Sequence, residues 1–401
     1  MKENIFVPAD ILLPDFDIND PAWQKWAIIA CDQFTSQREY WNDVDSFVGD
    51  AMSSYSLVLP EAYLETDKEA EHKKVVASSM VSVPEKLKSH KGAMIYVERI
   101  LPDGKLRRGI VGAIDLEKYD YRFENKPLVC ATEETVLSRI PPRVNIRRFA
   151  SMELPHIMVF YDDIEDRIMS FMEEAKKTAE KLYAFTLMAG GGSITGYKLE
   201  GDNLMKLCGL VAEYEASKTG ASYAVGDGNH SLAGAKTYYE ELKEQFGEGA
   251  ETHPARYALC EIVNIHESSI EFEPIYRIVK NVDVEALLAS LPDNGIKMDA
   301  YVNGERREVF FPDVHPIDIG CLQIFIDEYL KSHPEAECDY IHGVEDTIEL
   351  SKMENTVAFL CNGIEKDDLL SYVAENGSLP RKTFSMGEAK SKRYYIEARK
   401  I

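Results

Sequence analysis

An apolar strand that runs into a glycine-flanked polar turn and then into an amphipathic helix is the tightest constraint on what this chain can fold into. Residues 221–225 read as a buried strand, and Gly226-Asp227-Gly228-Asn229-His230-Ser231 follows directly. Leu232, Ala235, Tyr239, Leu242 and Phe246 then recur at three- and four-residue steps up to Gly247, the spacing of a helix stripe. A strand feeding a helix through glycines belongs to a layered α/β chain. It also has a chemical consequence. The first amides of a helix lack intrahelical partners and sit at the positive end of its dipole, and glycines let a ligand approach the backbone. Gly226, Gly228, Asn229 and Ser231 are therefore candidate phosphate-binding positions. His230 and Ser231 add side-chain donors, and Asp227 is placed to hold a metal ion or steer a proton. The structural alternative is a tight Asp-Gly turn with Asn229 as helix cap and His230 incidental.

The rest of the chain supports a mixed α/β reading. Residues 93–100 and 106–116 pair as a hairpin around Asp103-Gly104, and 296–302 with 307–311 form another around Asn303-Gly304. Ile157–Phe160 is a short strand. Ile164, Ile168, Phe171, Met172, Ala175, Ala179 and Leu182 follow a helical period. After about residue 275 the pattern shifts to shorter alternating elements. The expectation is a main α/β domain over 1–275 and a smaller α+β lobe over 276–401, with 380–387 reaching back to the central loop.

Composition narrows the function classes. With 45 basic against 69 acidic residues, the net charge of −24 disfavours nucleic acid and anionic membrane as partners. Seven cysteines, scattered and without C-x-x-C spacing, point to free thiols in a cytoplasmic protein rather than to disulfides or zinc. No basic stretch leads into a long apolar run at the N-terminus, so neither a signal peptide nor a membrane span is expected.

Two basic clusters stand out from the acidic background. Arg139-Ile-Pro-Pro-Arg143-Val-Asn-Ile-Arg147-Arg148 reads as a stiff, non-helical segment whose guanidinium groups either bind phosphate or form surface ion pairs. Pro380-Arg381-Lys382-Thr383 through Gly387 offers donors for an anionic ligand, with a plain basic loop as the alternative. Gly190–Gly196 fits neither the dinucleotide fingerprint nor a nucleophile elbow, because Thr195 stands where a glycine is needed. Asp32, after the apolar run 26–30, is either a general base in a pocket or the cap of the next turn. His156 reads as a core or strand-end residue.

Six segments come in an order that carries a resemblance. They are Cys31–Ser36, Arg139–Arg143, Gly191–Gly196, Val225–Ser231, Glu273–Arg277 and Pro380–Gly387. Together they resemble the bacterial family DUF 1015 from about residue 5 to the C-terminus, a family name that carries no established activity. The central loop is also similar to the Asp-Gly-His-His-Arg motif of the ParB/sulfiredoxin-like fold, which holds nucleotide phosphates at a helix start. Asp227, Gly228 and His230 match that motif; Asn229 replaces a histidine and Ser231 an arginine. The lost arginine is a two-pronged phosphate ligand, which Arg139, Arg143 or Lys382 would have to replace. The resemblance implies a ParB/sulfiredoxin-like core and a phosphotransferase acting on a small metabolite, such as a kinase for free serine. ATP or ADP would be the donor and Mg²⁺, on Asp227, the charge partner. Asp227, His230 and Asp32 would be catalytic; Gly226, Gly228, Asn229, Ser231, Arg139, Arg143, Lys382 and Thr383 would bind phosphate or nucleotide. The alternative is a nucleotide- or anion-binding switch without turnover.

Overall fold

The computed structural model describes residues 4–31, 34, 37–63 and 66–401. Asp32, one of the candidate bases, lies outside the described residues. The chain divides into two compact units: 1–270 with 370–377 and 388–401, and 271–369 with 378–387.

The first unit is built on a mixed sheet. Its strands are β1 (Phe6–Val7), β2 (Ala9–Pro14), β3 (Leu87–Ile100), β4 (Leu106–Asp115), β5 (Tyr119–Asp120), β6 (Val129–Ala131), β8 (Met158–Tyr161), β9 (Glu180–Thr186), β10 (Ser193–Leu199), β11 (Tyr223–Asp227) and β12 (Tyr257–Asn264), while β7 (Met152–Glu153) stands apart from it. The main path runs β5-β6-β11-β8-β12-β4-β3-β10-β9, with β1 added on β4 and β2 on β3. Parallel pairs occur at β5–β6, β6–β11 and β8–β12, and antiparallel pairs elsewhere along this path. Successive residues of a strand point to opposite faces. On β3, Ile95 and Val97 accordingly join Trp23, Trp26 and Trp41 in one core, and Met94 and Tyr96 join Leu207, Leu232 and Tyr239 in another. A sheet covered on both faces needs strands that are apolar throughout. β8 (Met-Val-Phe-Tyr) and β12 (Tyr-Ala-Leu-Cys-Glu-Ile-Val-Asn) largely meet that need, with Glu261 and the terminal Asn264 as the polar exceptions.

Two expectations change here. The basic segment 139–148 is not a non-helical strap: Ile140–Phe149 is an α-helix with its prolines in the first turn. Proline is tolerated there because its missing N–H would have no intrahelical acceptor anyway. The long helix expected over 164–182 is the shorter Arg167–Ala175, and Leu182 lies on β9.

The second unit holds an antiparallel sheet of β13 (Glu273–Lys280), β14 (Ile296–Val302), β15 (Glu305–Phe311), β16 (Glu337–His342), β17 (Thr356–Leu360) and β18 (Phe384–Ser385). Helix Asp318–Ser332 supplies Ile319, Leu322 and Ile326 to its core. The hairpin β14–β15 turns at Asn303 and Gly304, both at positive φ (52° and 79°), as an Asn-Gly turn requires. Arg277 on β13 is fully buried and organises 378–387, donating to the carbonyls of Arg381 (2.8 Å) and Lys382 (2.9 Å). Lys382 adopts φ +56°, and Thr383 is buried with its hydroxyl on Pro380 O (2.7 Å). The Lys382 carbonyl and the Thr383 hydroxyl are thus engaged within the second unit. The last strand, β19 (Arg399–Lys400), pairs with β7 in the first unit.

Candidate functional site

β6 and β11 lie side by side and parallel, with Val225 opposite Ala131, so their carboxyl ends open at the same edge. In α/β sheets this is where ligand crevices form. Two segments leave that edge together. After β6 comes Thr132–Val136; after β11 come Gly228 and the helix Asn229–Phe246. They are bonded to each other. Thr132 Oγ1 donates to Val225 O (2.6 Å), Asn229 Nδ2 lies 3.4 Å from Thr132 Oγ1, and the Val136 N–H donates to His230 Nε2 (3.1 Å).

The loop glycines are explained locally. A Cβ on Gly226 would lie 2.4 Å from the Phe160 ring, so that glycine makes room for β8. Gly228 is the N-cap at φ +86°, and a Cβ there would sit 3.0 Å from Ile157 Cγ1 and 3.2 Å from its Cα. The cap is therefore backbone only. Asn229 does not cap the helix but is its first residue, and neither a side-chain cap nor an acidic residue occupies the first turn. The helical ladder begins with Leu232 N–H donating to Gly228 O (3.0 Å), one turn beyond the amides of Asn229, His230 and Ser231. The Gly228 amide is different: it donates to Asp227 Oδ1 (2.9 Å). The Gly228 amide is thereby engaged within the loop, and the amides that precede the helical ladder are those of residues 229–231.

His230 has one nitrogen assigned by this geometry. Because Nε2 accepts the Val136 N–H, the ring proton of the neutral imidazole sits on Nδ1. Asp227 is engaged at both oxygens, Oδ1 with the Gly228 amide and Oδ2 with Lys392 Nζ at 3.5 Å. Lys392 is placed by two buried arginines of the β3–β4 hairpin. Arg99 donates to the carbonyls of Lys390 (2.5 Å), Ser391 (3.2 Å) and Lys392 (2.5 Å), and Arg107 donates to Ser391 O (2.9 Å). Burial pushes the Arg107 pKa down, while Glu261 and Asp227 pull it back up and Arg393 adds to the depression.

Two further residues complete this neighbourhood. The Tyr395 hydroxyl lies 2.9 Å from His156 Nδ1, and His156 directly precedes the Ile157 that packs on Gly228. Burial first, then the Asp227 and Cys31 charges, hold the Tyr395 proton firmly; Arg143 and Arg393 act in the opposite sense.

The arginine cluster separates into roles. Arg147 pairs with the buried Glu153 (2.5 Å), and Arg148 pairs with Glu241 on the surface (2.6 Å). Arg143 donates to Arg139 O (2.9 Å) and packs on the helix Asn229–Phe246, where a Cβ on Gly234 would lie 3.1 Å from its Cβ. Arg148 follows the surface ion-pair alternative and Arg147 makes a largely buried pair, while Arg143, on the helix Ile140–Phe149, packs against the helix that follows the loop. The glycines that open the Gly190–Gly196 run form a packed turn leading into β10: a Cβ at Gly191 would meet the Tyr394 hydroxyl at 2.2 Å and one at Gly192 would meet Ile100 O at 1.9 Å.

Among the described residues no three His, Cys, Asp or Glu side chains cluster as a metal cage. Magnesium bound through one carboxylate, phosphate oxygens and water needs no such cage. Asp227 fits that mode only if Lys392 gives way. All seven cysteines are free thiols, and among the described residues no helix is long and apolar enough to cross a membrane.

Sequence reasoning did not find Thr132, Thr135, Val136, Lys392, Tyr395 or the arginines at 99 and 107 as parts of this region. Pairing of β6 with β11 brings the first three in from about a hundred residues away, and the C-terminal return brings Lys392 and Tyr395. The only local signal was charge at inward positions of β3 and β4, Arg99 and Arg107.

No curated protein sequence matches the chain. Among solved structures, a mutant free serine kinase in complex with AMP is similar at 12% identity and TM-score 0.39, over 71% of this chain and 90% of that one. A conserved hypothetical protein from Pyrococcus furiosus has 12% identity and TM-score 0.35, over 71% and 93%. SbnI from Staphylococcus aureus, with a C-terminal truncation, has 10% identity and TM-score 0.36, over 69% and 82%. The family described as "Protein of unknown function (DUF1015)" matches residues 12–400. The chain belongs to the DUF1015 family.

Proposed function

We propose that the chain is a phosphotransferase for a small metabolite, using ATP or ADP, with a free amino acid such as serine as the acceptor class. The observation that carries the reading is the start of the helix Asn229–Phe246, without a side-chain cap, at the shared carboxyl edge of β6 and β11. Amides of residues 229–231 and the helix dipole suit a phosphate there. His230, whose proton lies on Nδ1, is the candidate donor to the transferred group. Arg143 is the candidate replacement for the arginine that Ser231 displaces. Phosphoryl transfer asks a protein mainly for positioning and charge neutralisation, which is what these groups offer. A magnesium ion arriving with the nucleotide would neutralise phosphate charge, and Asp227 is the carboxylate available to it.

A second reading is favoured by Asp227, which is tied to Gly228 and Lys392: the site binds a nucleotide or another anion without turnover. The two are separated by one experiment. The protein is titrated with phosphate, ADP and ATP, with and without Mg²⁺, and then incubated with ATP or ADP and free amino acids while phosphorylated product is measured. Product that disappears in His230→Ala, with the melting temperature little changed, supports the phosphotransferase. Nucleotide binding without product supports the binding protein. Failure of every anion to bind overturns both.

A further inference from the structure

A helix start supplies donors, yet this one also presents an acceptor that none of the described residues answers. Asn229 is 8% exposed. Its amide orientation follows from chemistry. Thr132 Oγ1 spends its only proton on Val225 O (2.6 Å), so toward Asn229 it can only accept. The atom facing it at 3.4 Å must then be Nδ2, and Oδ1 is the other end of the same amide. That Oδ1 is buried and has no hydrogen-bond partner among the described residues. Thr135 Oγ1, on the segment bonded to the loop through Thr132 and Val136, is buried and unpartnered in the same way, in a residue 8% exposed.

Buried polar atoms in folded chains are nearly always satisfied, and exceptions mark places where something else supplies the bond. An amide oxygen accepts and never donates. A carboxylate, or a phosphate monoester in its dianionic form, offers acceptors only, so it satisfies the helix amides and leaves Oδ1 as it is. We propose that the ligand of this site carries a hydrogen-bond donor, a hydroxyl or an ammonium, beside its anionic group. Asn229 Oδ1, with Thr135 Oγ1, receives that donor. The substrate class is thereby a small hydroxylated or aminated anion rather than phosphate itself. This rests on the reading that the loop holds an anion.

The test is calorimetric titration of the full chain with ethyl phosphate, glycerol 3-phosphate and phosphoethanolamine. The three share the phosphate; only the last two add a donor, a hydroxyl in one and an ammonium in the other. At least one donor-bearing ligand binds more tightly than ethyl phosphate by about tenfold, the scale of one added hydrogen bond. Which of the two gains identifies the donor. In Asn229→Leu, which keeps the backbone amide, that ratio falls toward one. Thr132→Val, which removes the group orienting the amide, lowers it as well and stands in if Asn229→Leu does not fold. Equal affinities for all three ligands, or a ratio that survives both substitutions, overturns the inference while leaving the anion site intact. Binding of none of them overturns the inference and the anion site together.

Discussion

Two polar regions of the first unit are built to different rules. Around Glu153, deep in the fold, each carboxylate oxygen has donors: Arg399 Nε at 2.9 Å, the Leu259 amide at 2.9 Å and Arg147 at 2.5 Å. Around Asn229, at the edge of β6 and β11, a buried oxygen is left without a partner among the described residues and the helix start without a side-chain cap. Burying charge is costly unless it is paired and hydrogen-bonded, and the Glu153 cluster shows that this sequence meets that cost where the purpose is structural. The loop edge departs from that practice. The difference lies in the acceptors: both Glu153 oxygens are answered by protein donors, and the Asn229 amide oxygen is answered by none of the described residues.

The comparison is broken most severely by Glu153→Gln. It leaves Arg147 and Arg399 buried without their carboxylate, and a loss of about 3–5 kcal/mol is expected from denaturant unfolding. The pH dependence has a definite sign. Burial raises the Glu153 pKa, but Arg147 and Arg399 outweigh it and the net shift is downward. A depressed carboxylate contributes stability that is full above its unfolded value of about 4.3 and is lost as pH falls through the lower folded value. The wild-type protein therefore loses stability on acidification below that range, and Glu153→Gln has a shallower acid limb. A variant as stable as the wild type at pH 7 would remove the contrast.

Gly228→Val is next. The positive φ and the contact with Ile157 predict a loss of about 1–3 kcal/mol in stability together with loss of anion binding, read by melting and titration of the same sample. Arg143→Ala is expected to weaken phosphate or nucleotide binding by about 1–3 kcal/mol, the scale of a charge-assisted hydrogen bond, with stability less affected. Unchanged affinity would assign Arg143 to helix packing alone. Arg148→Ala is the smallest effect. Its partner Glu241 is exposed, so a change of about 0–1 kcal/mol in stability and none in anion affinity is expected.

What could be read from the sequence was what lies close along the chain. The strand, the glycine-flanked turn and the stripe from Leu232 to Phe246 follow from local spacing, and so do the two Gly-containing hairpins. The prolines at 141 and 142 misled because they argue against a helix interior but not against a first turn. Leu182 kept the helical period by chance after the helix had ended at Ala175. What could not be read was assembly at a distance. Thr132 and Thr135 look like ordinary polar residues until β6 pairs with β11. Tyr395 and Lys392 look like a basic tail until Arg99 and Arg107 hold its carbonyls. Nor does any sequence pattern reveal which buried oxygen will be left unpaired, because that depends on where the Thr132 proton goes.

The central claim is that the start of the helix Asn229–Phe246 holds an anion. The most direct measurement is a crystal structure determined after soaking in phosphate at saturating concentration. The account predicts phosphate density against the amides of Asn229, His230 and Ser231. Density elsewhere, with those amides occupied by protein carbonyls, would contradict it.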